Sequence, residues 1–259
     1  MKKIVSVLSL TAAIIFTSCF DIFEESTIND DGSGIYTHTS DMSSMWAMLK
    51  MMGGEDTDSL GKMKIDTVIS IVSFKDSIPG ITETEKKLIE EATMRILMNA
   101  SEEIFQVIFR FPFSNPPDLK NITELIKKID EKSINTAMGN VVSGEEAEDN
   151  PNQTGGIGFK KADPEEYYVF EIEKGKISSK LNKEKYARIA DDLGLNSLME
   201  MSKMGYPMNF VTVYNLPQPV KKAEGKGIKI SADKKKVTIE ASLDDFLENP
   251  EKFEYEIEY

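Results

Sequence analysis

Cysteine and histidine are nearly missing from this sequence. Cys19 is the only cysteine and His38 the only histidine in 259 residues. A single cysteine cannot form an internal disulfide, and a zinc site commonly needs two or three histidines when cysteine is not available. A Ser-His-Asp triad would have to use His38, which lies in a predicted strand near the amino terminus. The common nucleophile, base and metal sites are therefore largely excluded, and we expect no catalytic residue, no metal and no cofactor.

Positive charge and long apolar runs are also scarce. The chain has 31 Lys and Arg against 44 Asp and Glu, which gives a net charge of −13. An acidic surface is repelled by nucleic acid and by anionic lipid head groups, so we expect no nucleic-acid partner. Beyond the amino-terminal segment no stretch of 18 or more apolar residues follows, and we expect the remaining chain to be soluble.

The amino-terminal segment has the three parts of a secretory signal. Two lysines follow Met1, residues 4–16 are mostly apolar, and small residues precede Cys19. The apolar run is too short for a permanent membrane-spanning helix. A cysteine directly after small residues resembles the lipobox of bacterial lipoproteins, with Phe16 where that family usually has leucine. The resemblance implies that the signal peptide, residues 1–18, is removed and that Cys19 carries a lipid such as palmitate. An ordinary signal peptide or signal anchor with an incidental cysteine is the alternative.

The residues after Cys19 suggest a domain division. Residues 20–25 (FDIFEE) resemble the acidic export tag of Bacteroidota lipoproteins, and a solvated tether is the alternative reading. We therefore assign residues 19–25 to an acidic tether. Residues 26–259 then form a single α+β domain, or two subdomains divided by a mobile loop at residues 139–164. That loop is rich in acidic residues and glycine.

Hydrophobic periodicity predicts α+β structure, with a mostly antiparallel sheet and three or four helices packed on one face. A hairpin is expected at residues 26–40 because Asp-Gly sits between two extended segments. Helices are predicted at residues 41–52, 82–98, 118–131 and 183–204, with a helical turn at 242–247. Thr82 and Glu85 fit a capping box at the start of the second helix, and an interruption of the fourth is expected at residues 194–196. Strands are predicted at residues 65–74, 102–113, 165–177 (a hairpin), 206–214, 228–231, 236–241 and 253–259. The strand at 65–74 is expected to be covered on both faces.

The clearest alternation in the sequence is a ladder of phenylalanines between residues 105 and 113. Phe105, Phe109 and Phe111 fall on one face of the predicted strand together with Val107 and Phe113. Such a face packs against a core. An aromatic ladder could also line a lipid or glycan pocket. We therefore name Phe105, Phe109 and Phe111 as candidate ligand-binding residues, with core packing as the favoured interpretation.

Two short motifs allow a metal interpretation beside a plain one. Asn29, Asp31 and Ser33 partly imitate a calcium loop, but Ser40 stands where a bidentate glutamate is required, and a hairpin turn is favoured. Methionines every three residues from Met42 to Met51 could bind Cu(I) near His38, but they also suit adaptable packing, which is favoured. The site prediction accordingly contains no metal ligand.

Several short segments resemble the LppM-type bacterial lipoproteins. They are residues 31–34 (DGSG), 211–217 (VTVYNLP), 228–234 (IKISADK) and 237–239 (VTI). The resemblance implies a cell-envelope domain that binds lipids or glycolipids.

Together these observations predict a lipid-anchored lipoprotein of the outer membrane that faces the surface or the periplasm. It is attached to the membrane through Cys19 and is expected to be a non-enzymatic binding module for an apolar ligand, a glycan or a protein partner. The alternatives are a subunit of an outer-membrane assembly and a glycan hydrolase that uses paired carboxylates.

Overall fold

A computed structural model describes residues 20–44, 64–129, 164–203 and 207–259 of the chain. The described residues form twelve strands, five α-helices and four short 3₁₀ helices. The strands are β1 (Phe20–Ile28), β2 (Gly34–Asp41), β3 (Lys64–Ser70), β4 (Thr93–Asn99), β5 (Ile104–Phe113), β6 (Tyr168–Glu173), β7 (Lys176–Leu181), β8 (Met208–Asn215), β9 (Lys222–Gly225), β10 (Ile228–Ile230), β11 (Lys236–Ser242) and β12 (Tyr255–Glu258). The helices are α1 (Glu83–Ile89), α2 (Asp118–Lys128), α3 (Lys183–Tyr186), α4 (Leu193–Lys203) and α5 (Leu243–Glu248). The 3₁₀ helices are Ile71–Ser77, Pro164–Tyr167, Ile189–Asp191 and Pro250–Phe253.

Eight strands form the larger of two sheets, in the order β10-β11-β8-β1-β2-β5-β4-β3. All neighbours are antiparallel except β1 and β8, which run parallel. Strands that precede residues 139–164 and strands that follow them therefore share one sheet. Residues 139–163, the signal peptide, Cys19 and most of the predicted helix at 41–52 lie outside the described residues.

The acidic tether predicted at residues 19–25 is wrong for the described part of that range. Phe20–Ile28 is a single strand at the centre of the large sheet, paired with β2 on one side and β8 on the other. The alternation of buried and exposed residues in this strand was not recognised because two of the residues are glutamates. Glu24, Ser26 and Ile28 are the buried ones. The described domain thus begins at Phe20 rather than at residue 26.

One face of the large sheet packs against described helices, and the other face, here called the open face, has exposed residues such as Phe23 in the described parts of the chain. The inward residues of β5 alternate strictly with less buried ones, as the sequence predicts for this strand. Helices α1 and α2 pack on β5, and α5 packs on β8 and β11, at the same covered face. Helix α2 presents four buried residues, Leu119, Ile122, Leu125 and Ile126, to this core. The predicted α+β class, with a mostly antiparallel sheet, is confirmed.

The smaller sheet was not separated from the larger one in the sequence-based prediction. It has the order β6-β7-β12-β9 and packs over the covered face beside α2. Its buried isoleucines, Ile172, Ile177 and Ile257, join the same hydrophobic core as Val237 and Ile239 of β11. The carboxy-terminal strand β12 lies between β7 and β9, so its position is internal rather than at an edge.

Three other elements differ from their predictions. The helix predicted at 82–98 ends at Ile89, and Thr93–Asn99 is a strand, because the alternating Met94, Ile96 and Met98 fit the sheet face. The capping box of Thr82 and Glu85 that begins this helix is confirmed. Strand β3 forms an edge of the sheet and is not covered on both faces. The helix predicted at 183–204 is broken between α3 and α4 by a 3₁₀ turn, earlier than expected.

Candidate functional site

A cavity of about 240 Å³ lies between the two sheets, with α2 along one side. Its lining includes residues of β1, β2 and β8 in the large sheet and of β6, β7 and β12 in the small sheet. The exposed side chains of Lys120 and Glu124 on α2 lie at its outer end, whereas Glu24 and Ser26 are buried. An engineered cavity of about 150 Å³ is enough to hold benzene. This cavity therefore has room for a substituted ring of about the size of a monosaccharide.

The cavity exists because a small residue stands between two aromatic residues in each sheet. Across the large sheet, Ser26 pairs with Tyr36 on one side and with Tyr214 on the other. Across the small sheet, Ser179 pairs in the same way with Phe170 and Tyr255. All six side chains line the cavity.

The tyrosine hydroxyls of the two sheets meet beside this hollow. Tyr214 and Tyr255 lie with their hydroxyl oxygens 2.7 Å apart, which joins the large sheet to the small one. Burial raises the pKa of both hydroxyls, so each stays protonated and one donates to the other. The tyrosines of the two sheets therefore meet at one side of the cavity, while the small side chains of Ser26 and Ser179 leave the space between the sheets unfilled.

The side chains of Ser26 and Ser179 line the cavity from opposite sheets. The two residues are 3% and 7% exposed. Within the described parts of the chain neither hydroxyl makes a side-chain hydrogen bond. Both hydroxyls are thus available to a polar molecule in the cavity.

Glu24 is the centre of a buried polar network at the deep end of the cavity. Tyr36 donates a hydrogen bond of 2.6 Å to Glu24 Oε1, and His38 Nδ1 lies 3.2 Å from the same oxygen. Burial by itself raises the pKa of Glu24, but hydrogen bonds from His38 and the positive charge of that ring outweigh it and lower the pKa to about 2. Burial and the charge of Glu24 raise the pKa of Tyr36. Glu24 therefore stays ionised although it is buried.

A second carboxyl reaches the same place. Glu165 belongs to the 3₁₀ helix Pro164–Tyr167, lines the cavity and contributes to the low pKa of Glu24. The carboxylate hydrolase considered from the sequence stays a prediction.

Ser40, His38 and Glu24 form a line with the connectivity of a catalytic triad. Ser40 Oγ lies 3.3 Å from His38 Nε2, and the opposite ring nitrogen faces Glu24. A nucleophile must face the space that receives the substrate. Ser40 does not line the cavity, nor the adjoining cavity of about 20 Å³ that His38 lines. Ser40 and His38 thus extend the hydrogen-bonded network of Glu24.

The candidate residues named from the sequence lie elsewhere. Phe105, Phe109 and Phe111 are all buried in the core on β5 and do not line the cavity. Their burial agrees with the core-packing interpretation. Cys19 lies outside the described residues, so its lipidation stays a prediction.

Sequence reasoning missed the residues of the cavity, but two of them carried a signal. Glu24 and Ser26 stand in phase with Ile28, so polar groups occupy buried positions of one strand. That signal becomes visible only once residues 20–28 are taken as a strand. His38, which was not among the site residues predicted from the sequence, belongs to the same buried hydrogen-bond network.

Asn29, Asp31 and Ser33 form the turn between β1 and β2. Their side chains bond to one another, with Asn29 donating to Ser33 at 3.0 Å and Ser33 donating to Asp31 at 2.6 Å. The predicted hairpin is confirmed. In the described stretches no group of three or more His, Cys, Asp or Glu is arranged to hold a metal ion.

Among the residues that the structure covers, no helix has the length and apolar character needed to span a membrane. No family model, curated protein or solved structure matches the chain.

Proposed function

We propose that this protein is a lipid-anchored lipoprotein of the outer membrane that binds a small, hydroxyl-bearing ligand, such as a glycan unit, in the cavity between its sheets. The observation that carries the proposal is the pair of unpartnered hydroxyls, Ser26 and Ser179, which face one cavity from opposite sheets. An apolar ligand would leave both hydroxyls without partners. A glycan can bond to these groups and pack its ring on the aromatic walls.

The anchor is Cys19, the residue that follows the apolar segment with small residues before it. Because β1 begins at Phe20, a lipid on Cys19 would hold the domain directly at the bilayer without a spacer. An acidic body would be repelled by anionic head groups, and a covalent lipid overcomes that repulsion.

The role is passive binding rather than catalysis. Glu24 is held by Tyr36 and His38, and Ser40 is not among the residues that line the cavity. This arrangement supports binding.

Two measurements test the proposal. Mass spectrometry of the protein from its native cells should find an acylated Cys19 at the amino terminus, and the Cys19→Ala variant should remain unacylated and leave the membrane fraction. Titration of the purified full chain with mono- and disaccharides, followed by thermal denaturation, should raise the melting temperature of the wild type. Ser179→Val should abolish that rise, whereas Ser178→Val on the opposite face of β7 should keep it. An unmodified amino terminus would refute the anchor, and an absence of any saccharide effect would refute the ligand.

A subunit of an outer-membrane assembly is the second candidate, and the open face of the large sheet favours it. Phe23 lies on this face at the centre of the sheet with 39% of its surface exposed, next to Val211 on β8. Native gel migration in mild detergent tests this role. Migration well above the monomer that reverts with Phe23→Ser would support it, and a sharp monomer would argue against it.

A further inference from the structure

The two sheets close the cavity on two opposite sides. Strands β1, β2 and β8 are neighbours in the large sheet, and β6, β7 and β12 are neighbours in the small sheet. Paired strands lie about 4.8 Å apart and are joined by backbone hydrogen bonds, so a ligand has no passage through either wall. Access to the cavity must therefore come from the side, between the sheets.

The sides of the cavity differ in their exposure. One side is bridged by the contact of 2.7 Å between the hydroxyls of Tyr214 and Tyr255. Among the described lining residues, the exposed ones are Lys120 and Glu124 on α2 and Val169 on β6. These two elements are in contact with each other. The cavity therefore opens to solvent between α2 and β6.

The space inside admits one sugar ring and no more. Its volume of about 240 Å³ is larger than the engineered cavity of about 150 Å³ that holds benzene, but smaller than two such cavities. The buried serines Ser26 and Ser179 stand on opposite walls of this space and can bond to the same ring. A second ring of a longer chain must then lie outside the cavity.

The rim at the opening is polar, which suits the path of a glycan and not that of an acyl chain. Lys120, Thr123 and Glu124 line the cavity and lie three and four residues apart on α2, so they share one face of the helix. Their ammonium, hydroxyl and carboxylate groups can bond to sugar hydroxyls. Lys120 and Glu124 are exposed, so such bonds replace bonds to water and add little net affinity. Affinity should therefore come from the enclosed ring.

We propose that the cavity takes the terminal unit of a glycan chain and that the rest of the chain leaves between α2 and β6. This inference rests on the proposed function, since it requires that the cavity bind a saccharide. A chain bound through an internal unit would need a second opening. In the described parts of the chain, the side bridged by Tyr214 and Tyr255 does not provide one. The partner is therefore a chain end rather than a continuous run of polysaccharide.

Isothermal titration of the purified full chain with mono-, di- and hexasaccharides of glucose, mannose, galactose and N-acetylglucosamine tests the inference. For each sugar that binds, we expect one hexasaccharide per protein and an affinity within fivefold of that of the disaccharide. A hexasaccharide affinity more than fivefold above that of the disaccharide would overturn end recognition and leave the proposed function standing. Binding of no saccharide would overturn both.

A thiol placed inside the cavity tests the position of the opening without any ligand. Cys19→Ser removes the native thiol, and Ser179→Cys introduces one on the cavity side of β7. Methyl methanethiosulfonate should label the introduced thiol in the folded protein, and mass spectrometry measures the rate. Adding Glu124→Trp at the rim should slow labelling at least fivefold. Adding Glu171→Trp, which is exposed on β6 but outside the cavity lining, should leave the rate within twofold.

Urea unfolding shows that these variants remain folded, because both tryptophans replace exposed side chains. Labelling that is equally fast with and without Glu124→Trp would overturn the route between α2 and β6. A thiol that is labelled only after unfolding would overturn the opening itself. Neither result depends on which saccharide binds, so both are distinguishable from a failure of the proposed function.

Discussion

Replacing Ser179 with valine should stabilise the protein, although the residue is buried in the middle of a sheet. Ser179 lies on the central strand β7 between Phe170 and Tyr255, and its side chain faces the cavity without a hydrogen-bond partner in the described residues. Extra methyl groups in a filled core usually destabilise by about 1–3 kcal/mol, because neighbours must move. Here the added groups enter space that no described protein atom occupies.

The size of the effect follows from what is lost and what is gained. The substitution removes a buried hydroxyl that bonds to no protein group, so little hydrogen-bond energy is lost. Burial of apolar groups contributes about 0.8 kcal/mol for each methylene-sized group, and valine suits a strand better than serine. We expect the free energy of unfolding to rise by about 1–2 kcal/mol. In a domain of this size each kcal/mol raises the melting temperature by about 2–4 °C.

Ser178 provides the control because it is the preceding residue on the same strand. It is also buried, but it faces the other side of the small sheet and does not line the cavity. Ser178→Val should therefore be neutral or destabilising, while Ser179→Val is stabilising. Urea unfolding monitored by circular dichroism measures both changes. If Ser179→Val destabilises the protein as much as Ser178→Val, the space between the sheets is not empty and the reasoning fails.

Three further outcomes follow from particular contacts. The pKa of Glu24 falls from 4.5 to about 2 on folding, so its ionised form stabilises the folded protein by up to about 3 kcal/mol above pH 4.5. This contribution is lost as the pH falls toward 2. The difference between the urea unfolding midpoints at pH 7 and pH 3 should therefore be smaller in Glu24→Gln than in the wild type. Gly34→Ala should destabilise the protein by more than about 3 kcal/mol, because a Cβ at this position would overlap a carbonyl oxygen of β1. Gly80→Ala should cost about 1 kcal/mol, because a Cβ there meets no neighbouring atom. Urea unfolding measures both changes. Lys128 bonds to both carboxylate oxygens of the largely buried Glu85 at 2.7 and 2.8 Å, so Lys128→Met should lower the melting temperature. If the Glu85→Gln, Lys128→Met double variant loses no more stability than Lys128→Met alone, the two residues act as one unit.

The predictions that succeeded depend on local pattern. The phenylalanine alternation of β5 and the Asp-Gly turn before β2 are each settled within a dozen residues, and both are confirmed. The capping box at Thr82 is local as well. The helix predicted at 82–98 failed because apolar residues at Met94, Ile96 and Met98 fit a strand better once neighbouring strands are present, and the partner strand β5 follows only later in the chain.

The candidate site required pairings that no local pattern reveals. Glu24 looked like part of an acidic tether because its strand partner β8 follows it by more than 180 residues. The cavity depends on Ser26 and Ser179, which are far apart in sequence and meet only because the small sheet packs on the large one. Serine is common at surface positions, so the residue type alone marks neither position as part of a site.

The sequence alone determined the α+β class, most of the strands, the acidic balance and the predicted signal with Cys19, because these depend on composition and on short-range periodicity. Only the tertiary structure decided that residues 20–28 form a central strand, that the phenylalanine ladder is core, and that two serines and two glutamates surround a cavity. The physical reason is that a cavity belongs to side chains brought together by long-range strand pairing, and that pairing is set by the whole folded chain.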